Sequence, residues 1–304
     1  MLKQNLSLII ACIPAYNEEK TIGKVILQAQ KFVDKVIVVD DGSEDYTAQI
    51  ARGLGAIVIL HEKNLGYGAA INSLFKEALR LGADIAVVLD GDNQHDPSEI
   101  PRIIKPLVKE EADMVLGSRF LNEGDSSEVS GYRRLGLKFI TDLSAKTSYN
   151  GITDAQCGFR AYSRKALEDI LVTEQGMGAS TEILFKAKDA GLRVVEVPVK
   201  VHYNSDPLAN DHSSNSFAHG LDVFMTTIKQ ISIRHPLKFY GIPGFLSVLV
   251  GLTFGVWTLQ IFSVSRSIDT NITLIALGAT MVGLMLMMTG LLLWILVSVV
   301  KEKL

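Results

Sequence analysis

The chain has 304 residues, 48% of them hydrophobic and 21% charged, with 30 Lys and Arg against 33 Asp and Glu for a formal charge of −3. That balance argues against a nucleic-acid binder, which shows a basic excess or stripe, and against a disordered chain, since apolar content is high and no low-complexity run occurs. The charge is unevenly placed: between Phe239 and Val300 only Arg266 and Asp269 carry one, so an ordinary soluble part is followed by a part of membrane composition.

In chain order, the first apolar run, Leu6 to Ile13, leads directly into Pro14 and the acidic pair Glu18 and Glu19, which reads as a strand and not as a signal peptide. Three further β-type runs follow, Lys35 to Asp40, Ala56 to His61 and Ile85 to Asp90, alternating with helical patterns near Glu18 to Lys31, Tyr46 to Leu54 and Ala69 to Leu81. Met114 to Gly117 adds a fifth run. The alternation predicts an α/β, Rossmann-like domain with a mostly parallel sheet covered on both faces. Cys12 and Cys157 stand far apart without a CxxC partner, so neither a disulfide framework nor a zinc site is expected, and a reducing compartment is the natural setting.

Ligands of such sheets bind beyond the carboxyl ends of the strands. Here those ends read Pro14-Ala15-Tyr16-Asn17-Glu18, Asp40-Asp41-Gly42-Ser43, Asn64-Leu65-Gly66-Tyr67-Gly68, Asp90-Gly91-Asp92 and Gly117-Ser118-Arg119. The pattern brings all five to one edge. An acidic, glycine-rich edge with one arginine suits a metal and a phosphorylated ligand.

Asp90-Gly91-Asp92-Asn93-Gln94 places two carboxylates and an amide oxygen at the end of a buried strand, hard ligands suited to Mg²⁺ or Mn²⁺. Two carboxylates held this close repel unless a cation lies between them. A capping turn before a helix starting near Pro97 is the plain structural alternative. A carboxylate of Asp40-Asp41-Gly42-Ser43 could take hydrogen bonds from a base or ribose, though the same residues also spell a β-turn with a helix cap. In Gly66-Tyr67-Gly68 the third glycine of a dinucleotide fingerprint is replaced by Ile71, so the segment implies close packing and phosphate approach rather than NAD. No GxxxxGK[ST] occurs, which excludes a P-loop hydrolase.

Toward the C-terminus, Phe217, Leu221, Phe224, Ile228 and Ile231 form a stripe at helical spacing, which fits an amphipathic helix on a membrane surface as well as a core-facing helix. Gly241 to Val264 and Ile272 to Val300 each exceed the ~20 apolar residues that cross a bilayer core. The predicted organisation is a catalytic domain over 1–215, a juxtamembrane helix over 216–238 and a two-helix hairpin over 239–304. Lys229, Arg234 and Lys238 before the hairpin and Lys301 and Lys303 after it, against Arg266 in its loop, place the catalytic domain and both termini in the cytoplasm of a cell-membrane protein. The hairpin also leaves room for a homo-oligomer formed through the helices.

Taken together, Ile13-Pro14-Ala15-Tyr16-Asn17-Glu18-Glu19, Val39-Asp40-Asp41-Gly42-Ser43, Asn64-Leu65-Gly66-Tyr67-Gly68, Asp90-Gly91-Asp92-Asn93-Gln94-His95-Asp96-Pro97, Gly117-Ser118-Arg119 and Cys157-Gly158-Phe159-Arg160 resemble the GT-A, family 2 glycosyltransferases over about Leu6 to Val199. Within them the chain is similar to the polyprenyl- or dolichyl-phosphate sugar synthases, and most of all to archaeal enzymes that prime dolichyl phosphate for protein N-glycosylation. The resemblance implies that Pro14, Tyr16, Glu18 and Asp41 hold the nucleoside, and that Asp90, Asp92 and Gln94 hold Mg²⁺ or Mn²⁺ on the donor diphosphate. It also implies that Arg119 lies near the phosphates. The partners it implies are a nucleotide sugar, dolichyl or polyprenyl phosphate and the bilayer.

An acceptor phosphate with a second pKa near ~6 is largely ionised at neutral pH and serves as its own nucleophile, so single displacement with inversion is expected. Arg133 and Arg134 resemble an interfacial helix whose arginine receives the lipid phosphate, a solvated basic face being the alternative. Asp154 and Arg160 match the acceptor-side motif, where Asp154 could orient the acceptor or an arginine. Glu182 sits at a similar acidic position, with a helix-start carboxylate as the alternative. Two departures stand out: Leu137 replaces an expected serine, and Lys200 to Ser216 offers His202, Asn204 and His212 where the family shows arginine and then Ser-Lys.

A processive polysaccharide synthase would add QxxRW, but Trp257 and Trp294 both lie inside the spans. A sugar nucleotidyltransferase would need a basic glycine-rich start, which Ile13 to Glu19 lacks. UDP-glucose or UDP-N-acetylglucosamine is the expected donor, GDP-mannose the alternative. A non-catalytic protein that binds or moves lipid-linked sugars is the reading from a different class.

Overall fold

The computed structural model describes residues 7–121, 152–176, 178–201, 225, 228–229, 231–233 and 235–302. They form two compact units, divided between Thr227 and Ile228.

In the first unit the order is β1 (Ile9–Ala15), α1 (Ile22–Ala29), β2 (Lys35–Asp40), α2 (Thr47–Gly53), β3 (Ile57–Leu60), α3 (Tyr67–Arg80), β4 (Ile85–Val88), a 3₁₀ turn (Pro97–Glu99), α4 (Ile100–Val108) and β5 (Met114–Ser118). After the segment outside the described residues come β6 (Arg160–Ser163), α5 (Arg164–Asp169), α6 (Ala179–Asp189) and β7 (Val194–Pro198). The seven strands order as β3-β2-β1-β4-β6-β5-β7. All pairings are parallel except those of β6, which runs antiparallel between β4 and β5.

Successive strand residues point to opposite faces, and both faces are buried, which is why the strands read as unbroken apolar runs. Ile10 and Cys12 of β1, Ile37 and Val39 of β2 and Ala86 and Val88 of β4 join Ile71, Leu74 and Phe75 of α3 and Ile183 and Leu184 of α6 in one core layer. Ala11, Ile13, Val36, Val38, Val87 and Leu89 join Ile22, Val25 and Ile26 of α1 and Ile100, Ile103 and Leu107 of α4 in the other. Each fully buried Ile or Leu contributes about 1.5–3 kcal/mol.

Strand β1 is shifted toward Ala15 and β4 ends at Val88 instead of Asp90, and the starts of α1 and α3 also differ from the sequence expectation. Helix α1 starts at Ile22 and not at Glu18, because residues 17–19 are tied sideways to the turn after β2: Asn17 N–H donates to Ser43 Oγ at 2.8 Å, Glu18 N–H to Thr47 Oγ1 at 2.8 Å and Glu19 N–H to Asp45 Oδ2 at 3.1 Å. Asn17 takes the left-handed conformation there, with φ 57°. Helix α3 starts earlier than expected, at Tyr67, with Gly66 as its cap at φ 95°.

The second unit holds α7 (Ile242–Ser265), preceded by a π-helical turn over Leu237–Gly241, and α8 (Thr270–Glu302). Leu237–Ser265 and Thr270–Val299 are long and apolar enough to cross a membrane, and most of their side chains are exposed. Nothing like a polar face runs along them, unlike a helix packed on a soluble core. The two pack by small residues: a Cβ on Gly283 would lie 2.6 Å from the carbonyl oxygen of Gly244, and Ser247 Oγ donates to the carbonyl of Ala279 at 2.8 Å. Arg266 in the left-handed conformation closes α7, and Asp269 Oδ1 accepts the N–H groups of Asn271 and Ile272 to open α8.

Candidate active site

The carboxyl ends of β1, β2 and β4 and the start of α3 enclose a cleft of about 360 Å³. Pro14, Tyr16, Glu18, Asp41, Asp90 and Asp92 line it, joined by Asn64, Gly66 and Tyr67. The residues that the sequence reading assigned to the nucleoside and the acidic pair therefore do gather in one place. Gln94 stands on the same turn, its N–H donating to Asp92 Oδ1 at 2.9 Å, but it is not part of the cleft lining.

Asp41 is buried and binds its own protein. Its Oδ1 accepts from His61 Nδ1 at 2.6 Å and Leu65 N–H at 3.0 Å, and its Oδ2 from Gly66 N–H at 2.8 Å. On the other side of the ring, His61 Nε2 lies 2.9 Å from Ser73 Oγ. The carboxylate thus fastens the 64–66 segment to the end of β2. Glu18 holds its own turn, Oε2 accepting from Thr21 Oγ1 at 2.6 Å.

The glycine segment is a correction to the sequence reading on one point. Close packing is confirmed: a Cβ on Gly68 would lie 1.9 Å from the carbonyl oxygen of Glu174, and one on Gly66 would lie 2.5 Å from that of Gln175. Phosphate approach is not, because Gly68 N–H already donates to the Gln175 carbonyl at 2.7 Å and Leu65 and Gly66 N–H to Asp41. Residues 172–175 cover that helix start. Glu182 of α6 holds them there, accepting from Thr173 N–H and Oγ1 and from Glu174 N–H. Burial works against its charge, but these bonds and Lys186 hold its carboxyl below the usual range.

Asp90 and Asp92 both line the cleft. Burial pushes Asp90 up to about 6, with Arg160 and Arg119 pulling the other way. Burial, and then the Asp90 charge, push Asp92 up to about 6 as well. Among the described residues no three His, Cys, Asp or Glu side chains gather as a metal cage. Two crowded carboxylates open to a cleft nonetheless fit Mg²⁺ or Mn²⁺, ions that commonly take one or two protein carboxylates and complete their shell with substrate phosphate oxygens and water.

Arg119 follows β5 and is held by Asp154, which is fully buried: Nε donates to Oδ2 at 2.6 Å and Nη2 to Oδ1 at 2.7 Å. Asp154 is held in turn, its N–H donating to Glu196 Oε1 at 2.9 Å while Thr153 N–H and Oγ1 donate to the same carboxylate. Asp154 orients an arginine, the second of the two roles the sequence allowed it.

Arg160 is not presented to a ligand. At 1% exposure it donates to the carbonyls of Ala155 at 2.7 Å, Cys157 at 2.8 Å and Ser180 at 3.0 Å, so its expected place on the acceptor phosphate is corrected to a brace for the segment before β6. Arg133, Arg134, Leu137 and most of the 200–216 loop lie outside the described residues. The sequence reading carries His95 and Gly158 within motifs but gives neither a role, and it gives none to Glu196 or His61. His95 was in plain view beside Gln94; the other three acquire a role only through residues distant in sequence.

Residues 10–171 match the family model described as "Glycosyl transferase family 2". The chain is 37% identical over 227 residues to UDP-N-acetylglucosamine–dolichyl-phosphate N-acetylglucosaminyltransferase of Methanococcus voltae, spanning 66% of this chain and 88% of that protein. It is 26% identical over 292 residues to glycosyltransferase AglJ of Haloferax volcanii, spanning 95% and 94%. In three dimensions it is similar to glucosyl-3-phosphoglycerate synthase from Mycobacterium tuberculosis, crystallised with Mn²⁺, UDP and phosphoglyceric acid, with a TM-score of 0.56, 25% identity and coverage of 73% and 78%. The matched residues span more than half of the chain and include every strand end that builds the cleft, so this chain belongs to glycosyl transferase family 2 and carries its GT-A fold.

Proposed function

We propose that the chain transfers a single sugar, with inversion, from a nucleotide sugar to dolichyl or polyprenyl phosphate, UDP-glucose or UDP-N-acetylglucosamine being the favoured donors. The observation that carries the reading is the pair Asp90 and Asp92 crowded into the same cleft as Asp41, Glu18 and Tyr16, on a chain that also has two helices of membrane-spanning length. The relatives' names support a lipid phosphate as acceptor.

In this reading Pro14, Tyr16, Glu18 and Asp41 border the nucleoside, and Asp90, Asp92 and Gln94 hold a divalent cation. Bound there, Mg²⁺ or Mn²⁺ supplies positive charge against the charge that builds on the departing nucleoside diphosphate. Arg119, aimed by Asp154, adds a fixed cation at the same edge. The acceptor phosphate is ionised at neutral pH, so no protein base is needed to activate it. The catalytic domain and both termini lie on the cytoplasmic side of the cell membrane.

The test is incubation of membranes bearing the chain with dolichyl phosphate, Mg²⁺ or Mn²⁺ and a panel of labelled UDP- and GDP-sugars. Lipid-extractable label from one donor is the expected result. No label across the panel would sink the transferase reading, and label from GDP-mannose alone would replace the donor.

A further inference from the structure

His95 lies beneath the acidic turn, 5% exposed, with its ring stacked on Phe159 at a centroid distance of 5.4 Å and an interplanar angle of 26°. Its two nitrogens face different groups. Nε2 is 3.9 Å from Cys157 Sγ, and Nδ1 is 3.5 Å from Asp90 Oδ2. Among the described residues, Nδ1 is buried and has no hydrogen-bond partner. A buried polar nitrogen left in that condition, aimed at a carboxylate, calls for an explanation.

The Nδ1–H tautomer suits both contacts. In it the Cys157 S–H can donate to Nε2. The ring proton on Nδ1 then faces Asp90. Beside this, Gly158 leaves the space that the carboxylate fills, since a Cβ there would lie 2.6 Å from Asp90 Oδ2 and 3.0 Å from Oδ1. Arg160 fixes the turn by its bond to the Cys157 carbonyl. Three consecutive residues, Cys157, Gly158 and Phe159, thus surround one histidine and one carboxylate.

We propose that His95 is a positioning residue: its Nδ1–H orients the Asp90 carboxylate toward a divalent cation, and Cys157, Gly158 and Phe159 hold His95 and Asp90 in that arrangement. This rests on the reading that Asp90 and Asp92 serve such a cation. Partners of this kind behind a metal ligand are worth about 10–100-fold in metal affinity.

The test is Mn²⁺ binding to the purified full-length chain in detergent, read from the free-ion electron paramagnetic resonance signal in the presence of UDP or, separately, GDP. His95→Phe keeps the stacked ring and is expected to weaken Mn²⁺ binding about 10-fold or more, with its thermal midpoint measured in parallel. His95→Asn, which offers an amide N–H on the Nδ1 side, is expected to recover most of that loss. Mn²⁺ affinity unchanged in His95→Phe, or His95→Asn no better than His95→Phe, overturns the proposal. Should His95→Phe fail to fold, Gly158→Ala replaces it, since its added methyl displaces the Asp90 carboxylate; weakened Mn²⁺ binding supports the proposal and wild-type affinity overturns it. A wild-type chain that takes up no Mn²⁺ with either nucleotide sinks the metal reading and this proposal together, whereas a wild type that binds Mn²⁺ beside an unaffected His95→Phe sinks the proposal alone.

Discussion

Arg119 and Asp154 form a two-bond ion pair at 2.6 and 2.7 Å, in which the carboxylate is fully buried and the guanidinium is 13% exposed. A planar fork fits a carboxylate in a way that an ammonium does not. Arg119→Lys is therefore expected to lower kcat about 10²-fold, the scale of losing one preorganised charge donor. Asp154→Asn, which leaves the arginine without its anion, is expected to lower kcat similarly and to reduce the thermal midpoint, since breaking a buried pair costs about 3–5 kcal/mol. Steady-state kinetics and thermal melts of both variants check this; full activity in Arg119→Lys would show that the fork is not needed.

Asp92 separates the two functional classes. Asp92→Ala is expected to lose at least about 10²-fold in turnover if the carboxylate serves the donor phosphates, while a protein that only binds or moves lipid-linked sugars would keep its function. Its thermal midpoint without metal is expected to hold or rise, because one of two crowded like charges has been removed. Lipid-extractable label and a melt on the same preparation decide the matter.

Asp113 joins the start of β5 to the start of β7, accepting from Arg193 N–H at 2.8 Å and from the guanidinium at 3.0 and 3.1 Å. The Arg193 side chain holds this carboxyl below its ordinary 3.8. For an acid whose folded pKa is depressed, the stabilisation is present above about pH 4 and disappears as pH falls through the folded value. Arg193 is more than half exposed, so solvent screens the pair and its contribution to stability is small. The wild type is expected to be more stable than Asp113→Asn at pH 7, with the gap closing below pH 4 in paired thermal melts. A gap that stays constant down to pH 3 would contradict the assignment.

Gly68→Ala places a methyl 1.9 Å from a backbone oxygen that Glu182 holds in place. Overpacking of this kind costs about 1–3 kcal/mol, and the covering 172–175 segment is expected to detach first. Limited proteolysis should show faster cleavage there than in the wild type; equal rates would mean that the segment yields without cost.

The hairpin's charge pattern makes a topological prediction. Ser267→Cys in the loop between α7 and α8 is expected to react with a membrane-impermeant maleimide on intact cells, and Arg52→Cys on α2 only after permeabilisation. Cys12 and Cys157 are buried and contribute little background. The reverse labelling order would invert the assigned sides.

The legible and the illegible parts of the site differ in how far apart their determinants lie in the chain. Pro14, Tyr16, Glu18, Asp41, Asp90 and Asp92 were found because each lies at or just beyond the carboxyl end of a strand, and in a parallel sheet the carboxyl ends share one edge. Arg160 was misplaced because its match to the acceptor-side motif says nothing of the carbonyls of Ala155, Cys157 and Ser180, which converge on it in the fold. Gly66 to Gly68 looked like a phosphate loop because the Gln175 carbonyl that takes its N–H lies about a hundred positions away.

By itself, then, the amino-acid order determined the alternating α/β pattern, the two long apolar helices and the polar strand ends, because hydrophobic period and run length are local properties. Tertiary structure alone decided that β6 runs antiparallel between β4 and β5, that Asp154 holds an arginine, and that His95 sits against Asp90. Each of those depends on hydrogen bonds or packing between segments remote in sequence, and a buried donor or acceptor takes whatever partner the fold brings to it.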